Sequence, residues 1–137
     1  MIKEQFESLI YRLSLYFQDS TNEDKIELFG DFILIQNAIR NLIDNALKYA
    51  NKVEIKLNKK NTNLFIIIDD DGPGIPIKEH ENVFKPFYKI NKGRADSKSS
   101  VGLGLSIASD IVRSHGGNII LEKSKMNGLR VKIFLPV

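Results

Sequence analysis

The stretch Asp31 to Ala50, with the core Leu34-Ile35-Gln36-Asn37-Ala38-Ile39-Arg40-Asn41-Leu42-Ile43-Asp44-Asn45-Ala46-Leu47-Lys48-Tyr49, reads as one long helix. Leu34, Ile35, Ala38, Ile39, Leu42, Ile43 and Ala46 recur at helical spacing and form one apolar face. Asp31, directly after Gly30, suits the N-cap. Asn45 does not fit the pattern: at about 100° per residue it falls inside the apolar arc. Asn41 lies one turn earlier at the edge of that arc, and Lys48 and Tyr49 lie one turn later. An amide on a core face needs partners or it costs stability. The helix therefore carries a polar stripe beside its buried one, and that stripe needs a reason.

The remaining chain is of a size and composition to fold around such a helix. Its 137 residues suit one domain over 1–137 with one core, and 42% hydrophobic with 27% charged residues is ordinary for a globular domain. Without cysteine, disulfides and thiolate metal sites are excluded. The longest apolar run, Leu64 to Ile68, is far too short to span a membrane, and no signal-peptide pattern opens the chain, so a cytoplasmic segment is expected. The net charge of +3 is spread out except in the loop around residues 89–98, which argues against a nucleic-acid binder.

In chain order, residues 1–24 form an amphipathic helix and a connection, with Ile2, Phe6, Leu9, Ile10, Leu13 and Phe17 on its packing face. Lys25 to Phe29 alternates Ile26 and Leu28 against charge and predicts a short strand. After the long helix, Val53, Ile55 and Leu57 alternate with polar residues as a half-buried strand. Leu64 to Ile68, apolar on both faces, predicts a central strand that runs into the tight loop Asp69-Asp70-Asp71-Gly72-Pro73-Gly74-Ile75-Pro76. Glu79 to Tyr88 forms a short helix or turn with clustered aromatics. The polar, basic segment 89–101 cannot order itself by burial. A helix follows Val101-Gly102-Leu103-Gly104-Leu105 and stops at His115-Gly116-Gly117. Ile119 to Lys123 and Leu129 to Leu135 are strands joined through Met126-Asn127-Gly128. Three helices and about five strands, mostly hairpin-connected, favour a two-layer α+β sandwich: a mixed, mostly antiparallel sheet covered on one face by the helices.

Several familiar chemistries are absent. There is no phosphate loop ending in Gly-Lys-Ser/Thr, no dinucleotide fingerprint and no Ser/His/Asp context. His80 and His115 lie far apart, and His115 suits a helix C-terminus. What remains are two glycine pairs and the asparagine pair. Gly72 and Gly74 follow a carboxylate at a strand end, where backbone can approach a flat ligand and Asp71 can accept from an exocyclic amine, although a solvated turn would look the same. Gly102 and Gly104 precede a helix whose free amides and dipole suit a phosphate, although a hinge would look the same. An Asn oxygen is a suitable ligand for Mg²⁺ held mainly by phosphates and water, although a core amide bonded to backbone is the plainer alternative.

Taken together and in this order, these segments resemble one family. Asn41-Leu42-Ile43-Asp44-Asn45-Ala46-Leu47-Lys48-Tyr49 resembles the asparagine box of sensor histidine kinases. Asp71-Gly72-Pro73-Gly74-Ile75 resembles their first glycine box, and Val83-Phe84-Lys85-Pro86-Phe87-Tyr88 their phenylalanine box. Gly102-Leu103-Gly104-Leu105-Ser106-Ile107 resembles the second glycine box, and the closing strand to Pro136 completes the likeness, which runs from about Ile26 and leans toward the osmosensor type.

The resemblance implies the Bergerat fold of the ATP-binding catalytic domain. Asn45 would bind Mg²⁺, with Asn41 near the metal or phosphates, Lys48 on a phosphate and Tyr49 packed on adenine. Asp71 would accept from the adenine amino group, with Gly72, Gly74 and Ile75 beside the ring. Phe84 and Phe87 would anchor a mobile lid, 89–101, carrying Arg94 as its cation, and the amides of Gly102, Leu103, Gly104 and Leu105 would meet the phosphates of ATP. Ser100-Val101 departs from the usual hydroxyl residue directly before the second glycine pair. The phosphoacceptor histidine motif is absent, so the implied activity is transfer of the γ-phosphoryl group to a histidine-bearing dimerisation domain, in the same parent protein or in trans, with a response regulator downstream. The parent would be an inner-membrane sensor, and the domain alone a monomer making no contact with membrane or nucleic acid. Asn41 stands where ATP-hydrolysing relatives have Glu, and an amide is a poor base, which argues against a self-sufficient ATPase or an anti-sigma-type serine kinase. A nucleotide-binding module without catalysis is the remaining alternative.

Overall fold

The computed structural model describes residues 2–18, 25–61, 63–88 and 104–136. Helix α1 spans Ile2–Gln18 and α2 spans Lys25–Tyr49. Strands β1 (Val53–Lys60) and β2 (Asn63–Asp70) follow, then two short 3-10 turns, Ile77–Glu79 and Asn82–Phe84. Helix α3 is Gly104–Ser114, and β3 (Asn118–Lys123) and β4 (Leu129–Pro136) close the fold. The sheet order is β1-β2-β4-β3, and every pairing is antiparallel.

Period-two alternation divides the sheet into a covered and an open face. Val53, Leu57, Leu64, Ile66, Ile68, Ile119, Leu121, Leu129, Val131, Ile133 and Leu135 are buried. They meet Leu9 and Leu13 of α1, Ile35, Ala38, Ile39, Leu42, Ile43 and Ala46 of α2, and Ala108 and Val112 of α3 in one core. The helical face read at Ile35 to Ala46 is the face that packs, whereas Leu34 is 45% exposed and lies outside it. The open face carries the alternate residues. One cross-strand row is Glu54, Asp69, Arg130 and Glu122, and another places Phe65 beside Phe134 with ring centroids 5.6 Å apart.

Two expectations are corrected. The described sheet has four strands, all antiparallel, because residues 25–29 open α2 instead of forming a fifth strand. Alternation over two apolar residues is too short to specify a strand, and Ile26, Phe29 and Ile33 also stand at helical spacing. Asp31 consequently lies inside α2 and is not its N-cap. Its Oδ1 lies 3.1 Å from Nε2 of His115, while Nδ1 of His115 donates to the Ile111 carbonyl at 2.7 Å. Asp31 thus stands where α2 meets the C-terminal end of α3.

Helix α1 does more than pack. Gln5 presents its amide to the outer edge of β1, donating to the Val53 carbonyl at 3.4 Å and accepting from the Ile55 amide at 2.9 Å. Arg12 donates to the Leu57 carbonyl at 3.0 Å. Side chains of α1 therefore occupy hydrogen-bonding positions that an edge strand would otherwise offer to another chain.

Candidate functional site

Asn41, Asn45 and Lys48 sit on successive turns of α2, all partly buried. Helix α3 packs against α2. A Cβ built on Gly104, at the start of α3, would stand 3.9 Å from the Asn41 carbonyl oxygen. The first amides of α3 have no carbonyl partner within their own helix. The electropositive end of α3 thus lies beside the Asn41 turn of α2, and a helix N-terminus suits an anion. Leu105, in the first turn of α3, packs against the core and fixes where that turn begins. Gly102, Leu103, Arg94 and the lid segment 89–101 lie outside the described residues.

The other end of the site is built from three consecutive aspartates that do three different things. Asp69 points to the open face, where Arg130 binds it through Nε at 2.8 Å and Nη2 at 3.1 Å, so a carboxylate 1% exposed is fully paired. The bond raises the Arg130 pKa above its ordinary value. Asp70 follows Ile66 and Ile68 on the helix-covered side and is buried. Its Oδ1 accepts from the Gly72 amide at 2.9 Å and the Leu129 amide at 3.0 Å; no bond to Oδ2 is made among the described residues. Asp71 turns toward the end of α2. Its Oδ1 accepts from the amides of Asn51 at 2.8 Å and Lys52 at 2.9 Å, and its own amide donates to the Lys52 carbonyl at 3.2 Å. The Lys52 amide first, then the Asn51 amide, holds its carboxyl below the usual carboxylate range.

Asp70 and Asp71 each spend Oδ1 on two backbone amides. They differ in placement: Asp70 is buried beside the glycine loop, while Asp71 is only partly buried and turned toward Asn51 and Lys52. Strand alternation separates the two residues, and their identical side chains conceal the difference in the sequence.

The glycine loop is pinned from two sides. A Cβ on Gly72 would stand 3.0 Å from the Tyr49 carbonyl oxygen, so the loop touches the end of α2. Across from it lies the β3–β4 turn, where Asn127 adopts φ 71° and the Ser124 amide donates to the Gly128 carbonyl at 2.9 Å. A Cβ on Gly128 would overlap Asp70 outright and lie 2.6 Å from the Gly72 nitrogen. Gly128 is therefore a part of the site that the sequence reading missed, since Asn127-Gly128 signalled only a hairpin turn. Gly74 has φ 73°, Ile75 packs against the core, and the Ile75 carbonyl accepts from His80 Nε2 at 2.8 Å.

The aromatic segment divides in the same way. Val83 is buried and Phe84 packs partly against the core, so these two hold the segment near α3. Phe87, with φ 63°, is 65% exposed, and the lid it was expected to anchor lies outside the described residues. Tyr88 closes the segment by donating its hydroxyl to Glu79, and that bond raises its pKa. Tyr49, at the end of α2, is 39% exposed, with its carbonyl against the glycine loop.

Comparison with known proteins agrees with this geometry. Residues 30–137 match the family model described as histidine kinase-, DNA gyrase B- and HSP90-like ATPase. The sensor histidine kinase CpxA of Escherichia coli is 34% identical over 111 residues, covering 80% of this chain and 24% of that protein. The sensor histidine kinase WalK of Bacillus subtilis is 36% identical over 107 residues, covering 74% of this chain and 18% of that protein. The chain thus spans about a quarter or less of either relative. Among solved structures, the mycobacterial sensor histidine kinase MprB superposes with a TM-score of 0.69 at 30% identity, covering 77% of this chain and 73% of that one. The chain belongs to the histidine kinase-, DNA gyrase B- and HSP90-like ATPase family, as an ATP-binding domain of the sensor histidine kinase kind.

Proposed function

We propose that the chain binds ATP between α2, the glycine loop and the start of α3, and directs its γ-phosphoryl group to a histidine on a separate dimerisation domain. The observation that carries this reading is the approach of Gly104, at the start of α3, to the Asn41 turn of α2, while Asp70 accepts from the Gly72 amide at the glycine loop. Phosphates suit the α2–α3 end, with Gly104 and Leu105 amides as donors and Lys48 as countercharge. The adenine amino group suits Oδ2 of Asp70, in place of Asp71, with Gly72, Gly74 and Ile75 lining its path and Tyr49 at its edge.

Mg²⁺ fits the donor set. No group of three or more His, Cys, Asp or Glu converges among the described residues. A cation here would therefore take the Asn45 oxygen and complete its shell from phosphate oxygens and water, as Mg²⁺ commonly does. It would supply neutralisation of phosphate charge. The residues of the chain orient the nucleotide and hold its phosphates, the positioning and charge stabilisation on which phosphoryl transfer depends. Asn41 offers no base for activating water, so transfer to an acceptor is favoured over hydrolysis.

The supplying partners are a histidine-bearing domain and a response regulator, and the working location is the cytoplasmic side of a sensor protein. Among the described residues no helix is long and apolar enough to cross a membrane. The test is calorimetric titration of the chain with ATP, with and without Mg²⁺, followed by incubation of the complex with a histidine-bearing dimerisation domain. Magnesium-dependent binding that Asn45→Ala removes, and labelling of the acceptor histidine, are expected. Undiminished binding by Asn45→Ala overturns the metal assignment, and rapid release of phosphate without an acceptor favours an ATPase.

A further inference from the structure

The two ends of the proposed nucleotide site belong to elements that are not consecutive partners. Asn45 and Lys48 ride on α2, and Asp70 on the end of β2, with the whole β1 strand between them in sequence. The separation between these ends decides whether one molecule can reach both. The contacts at the end of α2 show what sets that separation. The last helical bond runs from the Ala50 amide to the Ala46 carbonyl at 3.0 Å. The next two amides, of Asn51 and Lys52, both leave the helix direction and converge on Oδ1 of Asp71. The return bond from the Asp71 amide to the Lys52 carbonyl makes the connection reciprocal. Close by, the Tyr49 carbonyl abuts Gly72.

We infer that Asp71 is a positioning residue, whose carboxylate fixes the distance between the phosphate-binding end of α2 and the adenine-binding Asp70 without touching the nucleotide. This inference rests on the proposed ATP site. One carboxylate oxygen gathers two amides that would otherwise be free to follow α2, and the peptide bond to Asp70 transmits that anchorage to the base-binding carboxylate. A ligand that bridges the two ends senses the anchorage, while a ligand that occupies one end does not.

The experiment compares ATP, which bridges the site, with adenosine, which occupies only the base end. Both are titrated into the 137-residue chain, adenosine by chemical-shift perturbation, and thermal melts verify folding. Asp71→Ala is expected to weaken ATP about tenfold, the low end of what losing an orienting partner behind a ligand costs. Adenosine affinity should stay within about twofold, since its own contacts remain. Asp71→Asn keeps an oxygen acceptor for both amides and should restore most of the ATP affinity even where the alanine variant is too unstable to titrate. A parallel loss of ATP and adenosine in either folded variant overturns the inference, because it makes Asp71 a direct adenine contact. Unchanged ATP affinity in Asp71→Ala, or an Asp71→Asn variant as weak as a folded Asp71→Ala, overturns it as well. Failure of the underlying site reading has a different signature: adenosine binding that survives Asp70→Ala.

Discussion

Gly128→Ala tests whether the hairpin turn and the carboxylate end of the site form one packed unit. The added methyl would overlap the backbone oxygen and Oδ1 of Asp70 and lie 2.6 Å from the Gly72 nitrogen, where ordinary contact begins at 3.4 Å. Relief requires the turn and the end of β2 to part by roughly 1 Å, a displacement of the size that overpacking imposes. That displacement strains the bonds from the Gly72 and Leu129 amides to Asp70, which are 2.9 and 3.0 Å long. Overpacking of this kind costs about 1–3 kcal/mol, and one lost bond to a charged group adds about 1.5–3 kcal/mol. Together these come to about 2.5–6 kcal/mol, a large part of the roughly 5–15 kcal/mol that stabilises a domain. At about 4 °C per kcal/mol for a chain of this size, Tm should fall by about 10–24 °C. The assay is a thermal melt followed by circular dichroism, with an ATP titration at a temperature where the variant is folded. The control is Gly104→Ala, whose methyl would meet, among the described residues, only the Asn41 oxygen at 3.9 Å and should leave Tm nearly unchanged. A Gly128→Ala variant that melts within about 2 °C of the parent and binds ATP equally well would refute the packing argument.

Two further outcomes follow from the carboxylates. Arg130→Ala leaves Asp69, 1% exposed, without its partner, and stranding one member of a buried pair costs about 3–5 kcal/mol; urea denaturation measures it, and the Asp69→Asn, Arg130→Ala double variant should recover part of the loss. The Asp71 carboxyl is held below its ordinary value of 3.8 by the Lys52 and Asn51 amides. Because the folded pKa is the lower one, its contribution is present above the unfolded value and disappears as pH falls through the folded value. Stability of the parent relative to Asp71→Asn should therefore be flat near neutral pH and decline only below about pH 4, as followed by melts across an acid series.

Local chemistry was legible in the chain. The apolar spacing of Ile35, Ala38, Ile39, Leu42 and Ala46 identified the packed face of α2, because a helix has one period and a core has one preference. The same periodicity singled out Asn45, alternation located β1, and a run apolar on both faces located β2. Residues 25–29 were misread because four or five residues satisfy a helical and a strand period equally well, and continuation into α2 decides between them. Aromatic character does not reveal which side of a turn faces the core: Val83 is buried and Phe84 packs partly against the core, while Phe87 is exposed.

The three aspartates mark where sequence ends and tertiary structure begins. By itself the sequence determined that a carboxylate stands at the end of a central strand before two glycines, and that an asparagine stripe runs along a helix. Only the folded chain decided which carboxylate does what. Asp69 meets Arg130 from β4, Asp70 meets Leu129 and the glycine loop, and Asp71 meets Asn51 and Lys52 beyond α2. The physical reason is that alternation sends neighbouring side chains to opposite faces, while the strand register and the hairpin turn supply each face with its partner. Those partners lie 59 and 61 residues away for Asp70 and Asp69 and about 20 for Asp71, so no local pattern can announce them.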